Sequence, residues 1–159
     1  MIESDAEAVR ALYRSVIDGW NDRDAAAMAR HFAPHVHMIG FDGSEVTGSD
    51  RAREYVAAIF ANHKVASFVS LVREVQEVAP GVAILHAHAG MLPPGQATIN
   101  PAVNVVQTLV AVKHDAAWRI VLFQNTPAAW HGREDDVKAL TAELQAEADR
   151  LQGAGRPAP

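Results

Sequence analysis

Two histidines and an aspartate in the first third of the chain have the side chains best suited to proton transfer. The chain contains eight histidines, and imidazole exchanges protons most readily near neutral pH. His35 and His37 lie two residues apart, so a strand directs both to one face. Asp42 follows in the turn Asp42-Gly43-Ser44. If the chain is an enzyme, these residues predict acid–base chemistry carried by His37 and Asp42; otherwise the histidines are half-buried or interfacial.

A second His-x-His pair, His86 and His88, lies in a later strand pattern and shares a face with Val82 and Ile84. Imidazoles from neighbouring strands can hold a transition metal, but such a site usually includes a carboxylate. The spacing supplies none, so we expect no metal site and no cofactor. The chain also has no cysteine, which excludes disulfides, thiolate nucleophiles, iron–sulfur clusters and Cys-bound zinc.

Aromatic and amide side chains on apolar stripes are the candidates for ligand binding. The aromatic ones are either core side chains with a polar tip or the wall of a pocket. The amides in strands either orient a ligand carbonyl or hydroxyl, or close the end of the sheet. Strict alternation places Gln124 with Trp118 on an inward face, because Arg119 points the other way. The predicted ligand-binding residues are Tyr13, Trp20, Tyr55, Asn104, Ile120, Leu122 and Gln124.

Helical periodicity comes first along the chain and strand periodicity follows. Apolar residues from Val9 to Trp20 form one helical stripe, with Ser4 and Glu7 spaced as a capping box. A short helix over 25–32, a strand over 36–41 and a helix from Ser49 come next. Four strands are expected near 66–79, 81–92, 102–113 and 117–126. This order predicts an α+β domain with three N-terminal helices packed on an antiparallel sheet, plus a C-terminal helix over 133–152.

The last two predicted strands are apolar on both faces. An antiparallel sheet with one wet face alternates apolar and polar residues, so both faces of this sheet must be covered. The helices cover one face, and a second subunit or the C-terminal helix covers the other. We expect a two-fold homodimer, supplemented by that helix, that buries Val103, Val105, Leu109, Val121 and Phe123.

Composition sets the outer limits on function. The 159 residues fit one domain, and a net charge of −5 argues against a nucleic-acid-binding face. No apolar stretch approaches the length of a membrane span. The N-terminal sequence is acidic and lacks a signal-peptide pattern. We therefore expect a cytoplasmic protein without nucleic-acid or membrane partners.

Three segments resemble the SnoaL-like group of the nuclear transport factor 2-like superfamily. These are AMARHFAPHVHMIG, GFDGSEVTGSDRAREY and the ending VVQTLVAVKHDAAWRIVLFQNTP, the last being similar to the SgcJ/EcaC group. The resemblance covers roughly residues 4–127. It implies a cone-shaped fold with a curved sheet and a pocket between the helices and the concave face, and it also implies a dimer. We divide the chain into this domain (1–130), a C-terminal helical extension (131–152) and a disordered tail (153–159).

The resemblance implies a pocket for a hydrophobic small molecule of polyketide- or enediyne-type secondary metabolism. Two functions fit: a cofactor-free acid–base enzyme of the isomerase, dehydratase or cyclase type, or a non-catalytic binding module of a biosynthetic assembly. The ketosteroid isomerase mechanism needs a Tyr and an Asp, and an ungapped match places those positions at Val16 and Gly40. The oxidoreductase label of the SgcJ/EcaC group has no physical support here, because the chain lacks cysteine, a GxGxxG motif and a flavin signature.

Overall fold

The computed structural model describes residues 1–155, and within them the chain forms four α-helices and a six-stranded sheet. Residues 156–159, part of the predicted tail, lie outside the described residues. None of the described helices has the length and apolarity to cross a lipid bilayer. The elements in chain order are α1 (Glu3–Asn21), α2 (Ala25–Ala29), β1 (Phe32–Ile39), β2 (Glu45–Thr47), α3 (Ser49–Asn62), β3 (Ser67–Ala79), β4 (Val82–Leu92), a 3-10 turn (Pro101–Val103), β5 (Val105–His114), β6 (Ala117–Pro127) and α4 (Glu134–Gly153).

Helix boundaries follow local chemistry, with two differences from expectation. The expected capping box at Ser4 is absent, because α1 begins at Glu3 after Ile2, with no side-chain cap. Asp24 caps α2 by accepting the Ala27 N–H at 2.9 Å. The second helix is shorter than predicted because β1 begins at Phe32.

The sheet is curved and unclosed, with the strand order β2-β1-β6-β5-β4-β3. β1 runs parallel to β6, and the other neighbours are antiparallel. A short strand, β2, was not predicted from the sequence. β3 forms one edge of the sheet, and this edge borders the candidate site.

The two faces of the sheet have separate apolar cores. The first core joins α1, α2 and α3 to inward residues of the sheet, among them Leu85, Leu109 and Ile120. The second joins α4 to the opposite face at the β3–β4 end, through Val69, Leu92, Ile99, Leu140, Leu144 and Ala148. Residues 83, 85, 87 and 89 of β4 are buried in the first face, so Leu92 and Gly90 point to the second. α4 therefore covers part of the face that the other helices leave open.

A β-bulge in β6 reverses the alternation that the sequence suggests. Val110 pairs with Leu122 and Ala111 pairs with Ile120, so Val121 is an extra residue between the two pairs. Ile120 and Phe123 then both face the helices, and Leu122 and Gln124 face away. The prediction that Leu122 and Gln124 line the concave interior with Ile120 is therefore wrong.

The residues expected to form the outer dimer face also need correction. Val105 and Leu109 are fully buried, and Phe123 is 3% exposed. The bulge in β6 turns Phe123 toward the inner face, where it pairs with Leu109. In β5 the even-numbered residues, not the odd ones, point away from α1–α3, because Leu109 pairs with the inward Leu85. The half-buried apolar side chains of the outer face include Ile84, Val106, Val110 and Leu122.

Candidate ligand-binding groove

A buried chain of hydrogen bonds crosses the interior beneath α1. The Tyr13 hydroxyl donates to Gln107 Oε1 at 2.5 Å, and Gln107 Nε2 donates to Asn125 Oδ1 at 2.9 Å. Asn125 Nδ2 then donates to the Ile39 carbonyl at 2.9 Å. The chain thus ties α1, β5, β6 and β1 together. In this chain both Gln107 and Asn125 have partners for their amide oxygen and nitrogen, as buried polar groups require.

Tyr13 holds its proton firmly in this setting. Burial raises the pKa of the phenol, and a hydrogen bond with Ser70 offsets only part of that rise. The neutral phenol donates its hydroxyl proton to Gln107 Oε1, so this hydrogen bond already uses the proton in the structure. Tyr13 therefore acts here as an anchor rather than as a ready proton source.

A groove of about 810 Å³ lies between α1, the first half of β3 and the second half of α4. Its volume is in the range of small-molecule sites. Much of its lining is apolar, and Tyr13 and Ser70 bring two hydroxyls to it. The apolar lining residues are Ile17, Phe68, Val69, Val72, Leu92, Ala148 and Leu151.

Charged side chains from both helices form the rim of the groove. α1 contributes Arg10, Arg14, Asp18 and Asp22, and α4 contributes Glu147 and Arg150. Arg14 contacts Glu7 at 2.5 Å, Arg150 contacts Glu147 at 2.6 Å, and Arg10 lies 3.4 Å from Glu3. Exposed pairs of this kind contribute little to stability, so the arginines can exchange partners with a ligand at low cost.

The two predicted catalytic residues lie outside this groove and outside the interior. Val36 and Met38 are the inward residues of β1, so His37 points to the opposite face and lies 3.4 Å from Glu45. Asp42 is exposed, and its Oδ1 accepts the Ser44 N–H at 2.9 Å. This backbone hydrogen bond lowers the pKa of Asp42. The structure therefore does not bring His37 and Asp42 into a shared pocket.

The remaining predicted binding residues are dispersed over the molecule. Trp20 packs between Phe60 and Phe68, and its Nε1 donates to a backbone carbonyl. Tyr55 is 38% exposed on α3. Asn104 is buried on the outer face, where its Nδ2 donates to Thr141 of α4 at 2.9 Å. Of the predicted ligand-binding residues, Tyr13 alone lines the groove.

The second His-x-His pair belongs to a smaller cleft under the first half of α4. His86 is exposed, whereas His88 Nδ1 accepts the Arg73 Nε–H at 2.9 Å. Arg73 also forms a two-pronged ion pair with Glu143, at 2.9 and 3.1 Å. Burial and the nearby Arg73 guanidinium lower the pKa of His88. The site thus anchors α4 to β3.

Gln107, Asn125, Ser70 and Val72 were not among the predicted site residues. Gln107 is the one polar residue in the otherwise apolar row Val105, Leu109 and Ala111, and that interruption was a usable signal. Ser70 and Val72 gave no such signal, because their role depends on β3 lying at the edge of the sheet.

The comparisons with known proteins agree on family and fold. A family model described as the SnoaL-like domain matches residues 9–129. No curated protein matches the chain at a significant level. The chain is similar to a structure from Nostoc punctiforme, a domain of unknown function with a cystatin-like fold. Identity is 25%, the TM-score is 0.78, and 97% of this chain and 98% of that chain are covered. This coverage includes α4.

Two further structures match over about four fifths of this chain. One is an NTF-2 like protein of unknown function from Shewanella oneidensis, with 17% identity, a TM-score of 0.58 and coverage of 76% of this chain and 97% of that chain. The other is a ketosteroid isomerase-like protein from Erwinia carotovora atroseptica, with 11% identity, a TM-score of 0.65 and coverage of 80% and 98%. At these identities the likeness shows the fold alone.

Proposed function

Because the chain belongs to the SnoaL-like domain family, we propose that it is a binding module for an elongated, largely apolar ligand held between α1, β3 and α4. The family includes ketosteroid isomerase-like proteins and polyketide cyclases, so the family alone does not choose between catalysis and binding. The observation that carries the proposal is the groove of about 810 Å³ with its apolar lining.

The side chains of the groove favour binding over acid–base catalysis. A catalytic acid or base needs a pKa tuned by its surroundings and a partner that orients it. Tyr13 is neutral and already bonded to Gln107, and the rim arginines face carboxylates. His37 lies on β1, which β6, β5 and β4 separate from β3 and the groove. A cofactor-free isomerase, dehydratase or cyclase therefore has less support than a binding module.

The proposed function includes a biological context, namely secondary metabolism. The resemblance of residues 105–127 to the SgcJ/EcaC group supports a role in polyketide- or enediyne-type secondary metabolism. A non-catalytic accessory protein of a biosynthetic assembly needs only an apolar binding surface with polar anchoring groups, and the groove has both.

Occupancy of the groove is tested with 8-anilinonaphthalene-1-sulfonate, an apolar aromatic anion whose fluorescence rises in apolar surroundings. Val72→Trp places a large ring where Val72 lines the groove. We expect this variant to weaken dye binding about tenfold by filling the site. Fluorescence titration measures the affinity and the stoichiometry.

Val78→Trp is the matched control, since Val78 is an exposed valine of the same strand that does not line the groove. It should bind the dye like the unmodified protein. If Val72→Trp binds as tightly as the unmodified protein, or if both variants lose affinity equally, the groove is not the binding site.

We also propose a homodimer formed by the outer face of the sheet. Ile84, Val110 and Leu122 lie side by side on neighbouring strands and are each half-exposed. An apolar surface of this kind usually marks an interface, and a two-fold dimer covers both copies at once. Light scattering should give twice the 17.1 kDa chain mass. Leu122→Glu should halve it, whereas Tyr55→Glu on α3 should not; a monomeric unmodified protein would contradict the dimer.

A further inference from the structure

One part of the free edge of β3 is closed by side chains of α1. Asn21 Nδ2 donates to the Phe68 carbonyl at 2.9 Å, and Asn21 Oδ1 accepts the Phe68 N–H at 2.8 Å. The amide side chain thus replaces a neighbouring strand at that residue. Trp20 Nε1 likewise donates to the Ala66 carbonyl at 2.9 Å.

The far part of the same edge is protected in a different way. Beyond Val72 the strand carries Arg73, Glu74 and Glu77, and its register shifts between Val72 and Glu74 and again between Glu77 and Ala79. Charged side chains and bulges are the usual means by which an edge strand resists pairing. This part of β3 is therefore unsuited to accept another strand.

Between these two parts, Ser70 and Val72 have an open edge. The register with β4 is continuous from Ser67 to Val72, so the N–H and C=O groups of Ser70 and Val72 point away from β4, like those of Phe68. No partner for these backbone groups occurs among residues 1–155. Both residues line the groove, so the groove offers a short row of unpaired backbone donors and acceptors.

We propose that the groove binds an extended peptide, which adds a strand to β3 at Ser70 and Val72. The inference rests on the proposed function, because it assigns the class of ligand that the same groove takes. Backbone hydrogen bonds to the strand edge give such a peptide its affinity, and its alternate side chains enter the apolar surface. The apolar lining on both sides of β3 calls for aliphatic side chains at those positions.

The charges along α1 specify the ends of the peptide. Arg10 and Arg14 line the groove toward one end of α1 and Asp22 lines it toward the other, with about 18 Å between residues 10 and 22 at the helical rise. Asn21 contacts Phe68 and Tyr13 contacts Ser70, so the basic end lies toward Val72. A peptide antiparallel to β3 is therefore complementary when its N-terminal end is acidic and its C-terminal end basic.

The walls of the groove disfavour a second copy of this chain as the occupant. α1 lies on one side of β3 and α4 on the other, and both line the groove. Paired strands lie about 4.8 Å apart, whereas packed helices need about 8–10 Å. Joining two β3 edges would force the helices of both copies into the same space, but a single extended chain meets no such conflict.

The test uses a fluorescein-labelled, amidated heptapeptide with the sequence Glu-Val-Ser-Val-Ser-Val-Lys and fluorescence anisotropy. We expect saturable binding, and about tenfold weaker binding when the backbone nitrogens facing β3 are methylated. Methylation of the alternate nitrogens should have little effect. The peptide Lys-Val-Ser-Val-Ser-Val-Glu, with its charges exchanged, should bind more weakly. Amide resonances of Ser70 and Val72 in the unmodified protein should shift on binding.

Ser70→Pro removes the outward N–H, which an edge strand tolerates, and should weaken peptide binding about tenfold. Ser70→Ala is the matched control, because it loses the hydroxyl and keeps the N–H. Absent binding at millimolar peptide, equal binding of both methylated forms, or unshifted Ser70 and Val72 amides would each overturn the proposal. Dye binding that Val72→Trp still weakens would then leave the proposed function standing.

Discussion

The Leu144 side chain of α4 packs directly against Gly90 of β4, and one added methyl group tests that packing. A Cβ at Gly90 would lie 2.9 Å from Leu144 Cδ1 and 3.1 Å from Ile99 Cγ2. Overpacking of a buried site costs about 1–3 kcal/mol, and replacing a strand glycine by alanine returns about 0.5–1 kcal/mol. Gly90→Ala alone should therefore lower the free energy of unfolding by about 1 kcal/mol.

The effect of Gly90→Ala on the free energy of unfolding should change sign when Leu144 is replaced by a smaller residue. Leu144 is fully buried, and Leu144→Ala should cost about 3 kcal/mol. It removes the nearer of the two atoms that a residue-90 methyl would meet, and the space it leaves lets the Ile99 side chain shift away. Gly90→Ala in that background should therefore add about 0.5–1 kcal/mol. Urea unfolding of the four proteins gives the coupling energy. An equal effect of Gly90→Ala in both backgrounds would refute the packing described for α4.

Two further outcomes follow from buried polar groups. Tyr13→Phe leaves Gln107 Oε1 without its donor and should lower the free energy of unfolding by about 1–3 kcal/mol; urea unfolding measures this, and an unchanged midpoint would contradict the buried bond. The lowered pKa of His88 means that the folded protein binds fewer protons than the unfolded chain. Stability should be full above the ordinary histidine pKa of 6.5 and should fall as the pH drops below it. His88→Gln should make this fall in stability shallower without abolishing it, because burial also lowers the pKa of His31. Urea unfolding midpoints between pH 5 and pH 8 measure the pH dependence of both proteins. Identical pH profiles would contradict the role of His88.

Elements with a strong period were predictable from the sequence alone. The stripe from Val9 to Trp20 corresponds to α1, and the four long strands begin and end within about three residues of their expected positions. A period reports which residues share a face of one element. It therefore places boundaries well when no irregularity intervenes.

The faces of β6 were not predictable by the same means. The extra residue at Val121 changes the face of every later residue, and it is detectable only from the pairing with β5. The candidate site was harder still. Tyr13 and Gln107 are 94 residues apart, and the groove needs α4 to dock beside β3. Neither relation leaves a local pattern, because each depends on how separate elements pack.

The position of α4 in the chain has a consequence for the protein during its synthesis. A ribosome makes all six strands before it makes α4, and domains begin to fold as they emerge. Until α4 has emerged, the apolar surface of Val69, Leu92 and Ile99 has no cover. A nascent chain paused before Glu134 thus exposes this apolar surface, and docking of Leu140 and Leu144 buries it. The second core is therefore the part of the molecule that can form last during synthesis.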